Sequence, residues 1–196
     1  QEVPAGASRD ALLAATASLD RANNLVAHIR SLDKAEQVTG QPLERVDLVQ
    51  IILNAWTHIR DSRPTEGAEF HINRAPGECY VRANPLLLDL FLNLFRNALE
   101  YSPNEKDIAV DVQASQHRGR MWWEIRVTDH GQGIPDGQKS QVFKRHDKNA
   151  HGLGLGLSVV QAVTEAFGGS VSVGNRVPGD YTKGTVFLVT LPAARS

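Results

Sequence analysis

The stretch from Asn84 to Pro103 constrains the fold most. Asn84 and Pro85 open a strongly apolar helix that reaches Tyr101, and Ser102 with Pro103 closes it. Among its Leu, Phe and Ala residues sit Asn93 and Asn97, four apart and so on one face, with Tyr101 one turn further on. An amide buried without partners costs free energy, so the pair needs a reason. Either two asparagines cap neighbouring loops, or an Asn oxygen acts as a neutral hard ligand, able to hold Mg²⁺ already neutralised by phosphate oxygens.

Around this helix the pattern alternates. Short strands are expected at Glu69 to Asn73 and Cys79 to Arg82. Ile108, Val110 and Val112 alternate, as do Trp123, Ile125 and Val127, and the polar turn at His117, Arg118 and Gly119 makes them an antiparallel hairpin. Beyond a Gly-rich stretch come a short helix near Gln138 to Lys144, a polar segment from His146 to His151, and a helix from about Ser158 to Phe167. Strands at Ser170 to Val173 and Thr185 to Leu191 complete the pattern. Hairpin connections among interleaved helices predict an α/β sandwich with one mixed, mainly antiparallel sheet and helices on one face.

Upstream, Leu12, Ala15, Leu19, Ala22, Val26 and Ile29 repeat at steps of three and four, a narrow seam for a partner helix within Ser8 to Thr39. Gly40, Gln41 and Pro42 break it, and Asp47 caps a second helix to about Arg60 with Leu48, Ile51, Ile52 and Ala55 on one face. The chain of 196 residues thus divides into a helical arm, 1–42, and a globular domain, 43–196. A net charge of −1 argues against a protein that neutralises nucleic acid or an anionic membrane, so any polyanion site is local. One cysteine, Cys79, excludes an internal disulfide framework and suits a reducing compartment. No run of about 18 apolar residues occurs to span a bilayer. Gln1 opens without a signal-peptide pattern, and the chain reads as a piece of something longer.

Two further clusters could carry chemistry. Asp129, Gly131 and Gly133, followed by Ile134 and Pro135, stand at a strand end. They form either an ordinary turn or a site where a carboxylate accepts from a nucleobase amine while the glycines admit a flat ring. Gly152, Gly154 and Gly156 alternate with Leu153, Leu155 and Leu157 just before a helix. They form either a tight turn or a set of backbone N–H groups at a positive helix end that meets phosphate. Lys139, Lys144, Arg145 and Lys148 against Asp147 concentrate positive charge beside these glycines, with His146 and His151.

The order and spacing of these clusters closely resemble the ATP-binding catalytic domain of sensor histidine kinases, in the GHKL superfamily. NLFRNALEYSP (Asn93 to Pro103) resembles the N box, DHGQGIP (Asp129 to Pro135) the G1 box, VFKRH (Val142 to His146) a shortened F box, and HGLGLGLS (His151 to Ser158) the G2 box. GGSVSV and GTVFLVTLP resemble the closing strands. The resemblance covers about residues 43 to 192. It implies the GHKL (Bergerat) sandwich with ATP between helices and sheet, Asn97 as a Mg²⁺ ligand bridging the phosphates, and Asn93 lining the phosphate end. Asp129 would receive the adenine amine, Gly131, Gly133 and Ile134 would shape the base pocket, and Tyr101 and Thr185 would lie near it. Gly152, Leu153, Gly154, Leu155, Gly156 and Leu157 would meet the phosphates, and Lys144, Arg145 and His151 would belong to a mobile lid.

The arm resembles the second helix of a dimerisation and phosphotransfer hairpin. No acceptor histidine is identified: Ile29, not an acid, follows His28, and the acceptor is expected upstream of Gln1. The resemblance implies transfer of the γ-phosphoryl of ATP to histidine and on to a response-regulator receiver domain. It further implies a homodimer in the intact kinase and a cytoplasmic location without nucleic-acid or membrane contact by this piece, the parent being anchored through a region outside it. Three features depart from the family pattern. Glu100 stands where many members have Lys and would repel the γ-phosphate unless turned away or paired, His146 replaces an aromatic, and the lid is short, so modest nucleotide affinity is expected. The alternatives are a GHKL serine kinase or ATPase and a degenerate nucleotide-sensing module. Against hydrolysis stands Asn93, because an amide cannot act as the base that activates water.

Overall fold

The computed structural model describes residues 42–62, 67–102, 107–143 and 155–194. Apart from Pro42, the arm expected over 1–42 lies outside the described residues. The chain runs β1 (Glu44–Asp47), α1 (Leu48–Ser62), β2 (Phe70–Ile72), β3 (Tyr80–Ala83), α2 (Leu86–Tyr101), β4 (Ile108–His117) and β5 (Arg120–Thr128). A 3-10 turn (Asp136–Gln138), α3 (Leu155–Ala166), β6 (Ser170–Val177) and β7 (Asp180–Pro192) follow.

Five strands form one sheet in the order β2-β4-β5-β7-β6, and β1 pairs with β3 in a two-stranded ribbon. Only β2 and β4 are parallel; β4–β5, β5–β7 and β6–β7 are antiparallel. The register aligns the apolar alternation across the sheet. Val112 faces Ile125 and Ile125 faces Val189, while Val110 faces Val127 and Val127 faces Phe187. All are buried, together with Leu87, Phe91, Leu94 and Phe95 of α2. On the alternate positions of the same strands stand Asp111, Arg126, Leu188 and Ser172, so one face carries the helices and the other carries a mixed surface. This is the two-layer α/β sandwich expected from the pattern.

Helix α1 starts where Asp47 stops the ribbon. Its Oδ1 accepts from the N–H groups of Val49 (3.0 Å) and Gln50 (3.3 Å), and its Oδ2 accepts from Gly77 N–H. Leu48, Ile52, Ala55 and Ile59, at steps of four and three, form the buried stripe. Asp47→Ala should therefore lower the unfolding free energy by about 1–2 kcal/mol. The check is a lower denaturant midpoint at unchanged slope. Helix α2 opens on Asn84, whose Oδ1 accepts from Leu86 N–H at 3.0 Å. It packs between α1 and α3.

The β4–β5 turn consists of Arg118 and Gly119, both at positive φ (49° and 74°), the two-residue geometry that matches strand twist. Three expectations are revised. The short helix expected at Gln138 to Lys144 is only a 3-10 turn, closed by Gln138 N–H to Pro135 C=O at 2.9 Å, with turns to Phe143. Gly137 within it disfavours a longer helix. Helix α3 begins at Leu155, not near Ser158, which brings Gly156 into its first turn. Strands β6 and β7 extend well beyond the apolar segments as a hairpin, because backbone pairing from Asn175 with Thr185 to Val177 with Asp180 continues through polar residues across a bulge.

Candidate functional site

Asp129 follows the last residue of β5 and is 5% exposed. Its Oδ1 accepts from the N–H of Gly131 (2.9 Å) and of Thr185 (3.1 Å), and its own N–H donates to Thr185 C=O at 3.0 Å. Both bonds fall on Oδ1, so the second oxygen retains its accepting capacity. Burial pushes the carboxyl above its ordinary range, against the pull of these two N–H groups and of the charges on His130 and Arg176. A buried carboxylate with one oxygen fixed by backbone is an aimed acceptor for a neutral N–H donor such as a base amine.

The loop after Asp129 is seated on both sides. Gln132 N–H donates to the C=O of Tyr101, the last residue of α2, at 3.1 Å. A Cβ on Gly131 would lie 2.6 Å from that same carbonyl. Gly133, at φ +69°, lies so close to β7 that a Cβ would fall 1.6 Å from Tyr181 O. The glycines expected to admit a flat ring are thus required first by protein backbone on either side of the loop. Gly184, which the sequence did not single out, sits at φ +107° against Asp129 O, where a Cβ would come within 2.2 Å. Ser102, expected only to close the helix, is buried beside Gly131. Only pairing across the hairpin brings Gly184 to the loop, so spacing along the chain could not reveal its contact with Asp129.

Thr185 is buried and bonds Asp129 through its backbone. Tyr101 is half-buried, and burial and then the charge of Glu100 raise its phenol. Glu100 itself is exposed. Asn93 is 4% exposed and its Nδ2 donates to Asp89 C=O at 2.8 Å on the preceding turn. Asn97, one turn on, is half-buried, and among the described residues its amide makes no hydrogen bond. Ile134 and Leu157 pack against the core, and Gly156 is buried in the first turn of α3, which carries no acidic side chain to oppose an anion. Phe143 packs edge-on against Phe187, centroids 6.4 Å apart.

The described atoms bring together Tyr101, Asp129, Gly131, Gly133 and Thr185. They connect Asn93, Asn97 and the start of α3 only through α2, which packs against α3 and carries Tyr101. Leu155 opens α3, and the expected roles of Lys144, Arg145, His151, Gly152, Leu153 and Gly154 lie outside the described residues. Lys139, expected to add to the positive charge beside the glycines, is instead paired. Its Nζ donates to Asp136 Oδ1 and Asn175 Oδ1, and the ion pair holds the Asp136 carboxyl below its ordinary range.

Among the described residues no three His, Cys, Asp or Glu side chains cluster as a metal cage. The donor set fits a divalent cation held chiefly by phosphate oxygens, with a neutral amide such as Asn97 as a protein ligand. No helix among the described residues is long and apolar enough to cross a membrane.

A two-layer sandwich with a buried, backbone-anchored aspartate at the end of its sheet has the layout of a nucleotide-binding domain. The chain belongs to the histidine kinase-, DNA gyrase B- and HSP90-like ATPase family, which it matches over residues 82–195. It is a histidine-kinase-type ATP-binding catalytic domain, similar to those of two-component sensor kinases. It is 31% identical over 183 residues to the signal transduction histidine-protein kinase/phosphatase MprB of Mycobacterium avium (strain 104), covering 90% of this chain and 33% of that protein. It is also 31% identical over 195 residues to the sensor histidine kinase ZraS of Salmonella typhimurium, covering 98% of this chain and 40% of that protein. The solved mycobacterial sensor histidine kinase MprB superposes with a TM-score of 0.65 at 29% identity, covering 79% of this chain and 99% of that one. The chain thus spans about a third of the length of its MprB relatives.

Proposed function

We propose that this chain is the catalytic portion of a sensor histidine kinase that binds Mg·ATP and delivers the γ-phosphoryl to a histidine of the same kinase, for relay to a response-regulator aspartate. The observation that carries the reading is Asp129, buried and anchored through Oδ1 so that Oδ2 can take the adenine amine. In transfer, a histidine nitrogen forms the new bond to phosphorus while the bond to the β,γ-bridging oxygen breaks, and its electrons leave with ADP. This chemistry needs positioning and charge neutralisation more than covalent help. Asp129 and Thr185 would orient the base, with Tyr101 beside them. Asn93 and Asn97 would stand at the phosphate end, where Mg²⁺ supplies charge neutralisation. The start of α3 and the glycines before it would meet the phosphates.

The arm of residues 1–42 would contribute to the dimerisation hairpin of a homodimeric kinase, and ATP as substrate fits a cytoplasmic position. The test mixes the protein with a separately made helix bearing an acceptor histidine and radiolabelled ATP. Acid-labile, alkali-stable label on the helix is expected. Acid-stable label would replace the reading with a serine kinase, and no label with a nucleotide-sensing module. Asn97→Ala should leave ATP binding nearly indifferent to Mg²⁺, measured by calorimetry with and without the ion, and an unchanged Mg²⁺ dependence would remove Asn97 from the metal.

A further inference from the structure

The loop that carries Asp129 is held at its far end by a half-buried lysine. Lys139 follows the 3-10 turn, and its side chain is only 16% exposed, whereas Asp136 is 74% exposed. Its ammonium donates to Asp136 Oδ1 and to Asn175 Oδ1, and Asn175 Nδ2 donates to the same Asp136 oxygen at 3.4 Å. Asn175 lies at the bulge of β6, where its cross-strand partner is Thr185, the residue whose N–H holds Asp129. The loop is therefore fastened to one hairpin at three successive points: Asp129 on Thr185 and Gly184, Gly133 on Tyr181, and Lys139 on Asn175.

We propose that Lys139, with Asp136 and Asn175, forms a clasp that positions the base-reading loop, so that nucleotide affinity and base preference depend on a residue that does not touch the nucleotide. The first two fastenings bring backbone against backbone, at Gly184 and Gly133, where no side chain fits. The third is made wholly of side chains, and it stands four residues before Phe143. With Lys139 removed, Gly133 and Tyr181 remain apposed, and among the described residues segment 136–143 keeps only the 3.4 Å bond from Asn175 Nδ2 to Asp136 as a hydrogen bond to the sheet. When the clasp opens with Lys139 in place, the largely covered lysine side chain loses the two acceptors of its ammonium.

The inference rests on the nucleotide reading above, and two measurements separate them. The first is hydrogen exchange without nucleotide. In Lys139→Met, which keeps the aliphatic stem, the amides of residues 131–139 should exchange about tenfold faster while those of β4, β5 and β7 stay protected. The second is affinity for ATP and for GTP. Lys139→Met should weaken ATP about tenfold, the scale of one charge-assisted hydrogen bond, and shrink the preference for ATP over GTP. Lys139→Arg should restore both, and Asn175→Ala added to Lys139→Met should cost little more than Lys139→Met alone. A general loss of stability would instead raise exchange throughout and weaken both nucleotides alike. Unchanged exchange at residues 131–139 overturns the clasp whatever the binding data show. Faster exchange with unchanged affinity and base preference overturns its positioning role. If the unmodified protein binds neither nucleotide, the nucleotide reading fails and the positioning role fails with it, while the exchange result still decides whether the clasp exists.

Discussion

Asp129→Asn should weaken ATP binding by about 100-fold while leaving the domain at least as stable as before. The two halves of that result have separate causes. An Asn side chain keeps an Oδ1 that can accept from Gly131 and Thr185, so the local backbone can stay as it is. It also removes a carboxylate whose ionisation burial makes unfavourable. Its other atom, however, becomes an N–H donor facing the donor it should receive. Two opposed donors in a desolvated site lose the charge-assisted bond and leave a polar group unpaired. Asp129→Ala behaves differently, because it leaves the two N–H groups without an acceptor and should cost about 1–3 kcal/mol in stability as well. Titration of a fluorescent ATP analogue, with a denaturant curve for each variant, reads both quantities. Full ATP affinity in Asp129→Asn would remove the residue from the base.

The raised carboxyl also couples binding to pH. Its folded pKa lies above its unfolded one, so within that window the native state holds the extra proton. By linkage, Asp129's contribution to stability then rises as pH falls through the folded value and levels off below the unfolded value. Nucleotide affinity moves the other way, since the protonated group no longer presents a carboxylate to the amine. Acidification through this window should release nucleotide from a domain that this residue is stabilising, and Asp129→Asn should flatten both profiles.

The two-layer sandwich was legible because its inner face is written as apolar alternation, Ile108-Val110-Val112 against Trp123-Ile125-Val127, and its central helix as a run of Leu and Phe interrupted by Asn93 and Asn97. Asp129 was legible from its place at a strand end before two glycines. What sequence pattern missed shares one physical trait: polar segments ordered by pairing with something distant. Strand β1 has no alternation and exists because Glu44 to Asp47 pair with Tyr80 to Ala83. The hairpin beyond Val173 reads as loop, yet it supplies Gly184, Tyr181 and Asn175 to the loop of Asp129. Lys139 looked like one more free cation beside a glycine stretch because nothing local shows that Asn175 and Asp136 enclose it.

Gly133→Ala and Gly184→Ala should be severely damaging small substitutions, each costing about 3–5 kcal/mol. Both positions have positive φ, +69° and +107°, which alone disfavours any side chain. Space is the larger obstacle. The added carbon would fall 1.6 Å from Tyr181 O in one case and 2.2 Å from Asp129 O in the other. Both obstacles are backbone, so no rotamer change relieves them, and the loop must leave the hairpin. Gly179→Ala separates the two causes, because it shares the positive φ (+81°) but meets nothing within 4 Å, and should cost only about 1 kcal/mol. Gly174→Ala, with ordinary φ and open space, should be close to neutral. Denaturant midpoints for the four variants should fall in that order. Equal losses at Gly179 and Gly133 would mean that backbone conformation, not docking, is what these glycines serve. Of the two severe variants, Gly184→Ala strikes the residue proposed to read the base, because it displaces the Asp129 carbonyl itself. Its surviving folded fraction should therefore bind ATP more weakly than that of Gly133→Ala, where the collision lies four residues further along the loop.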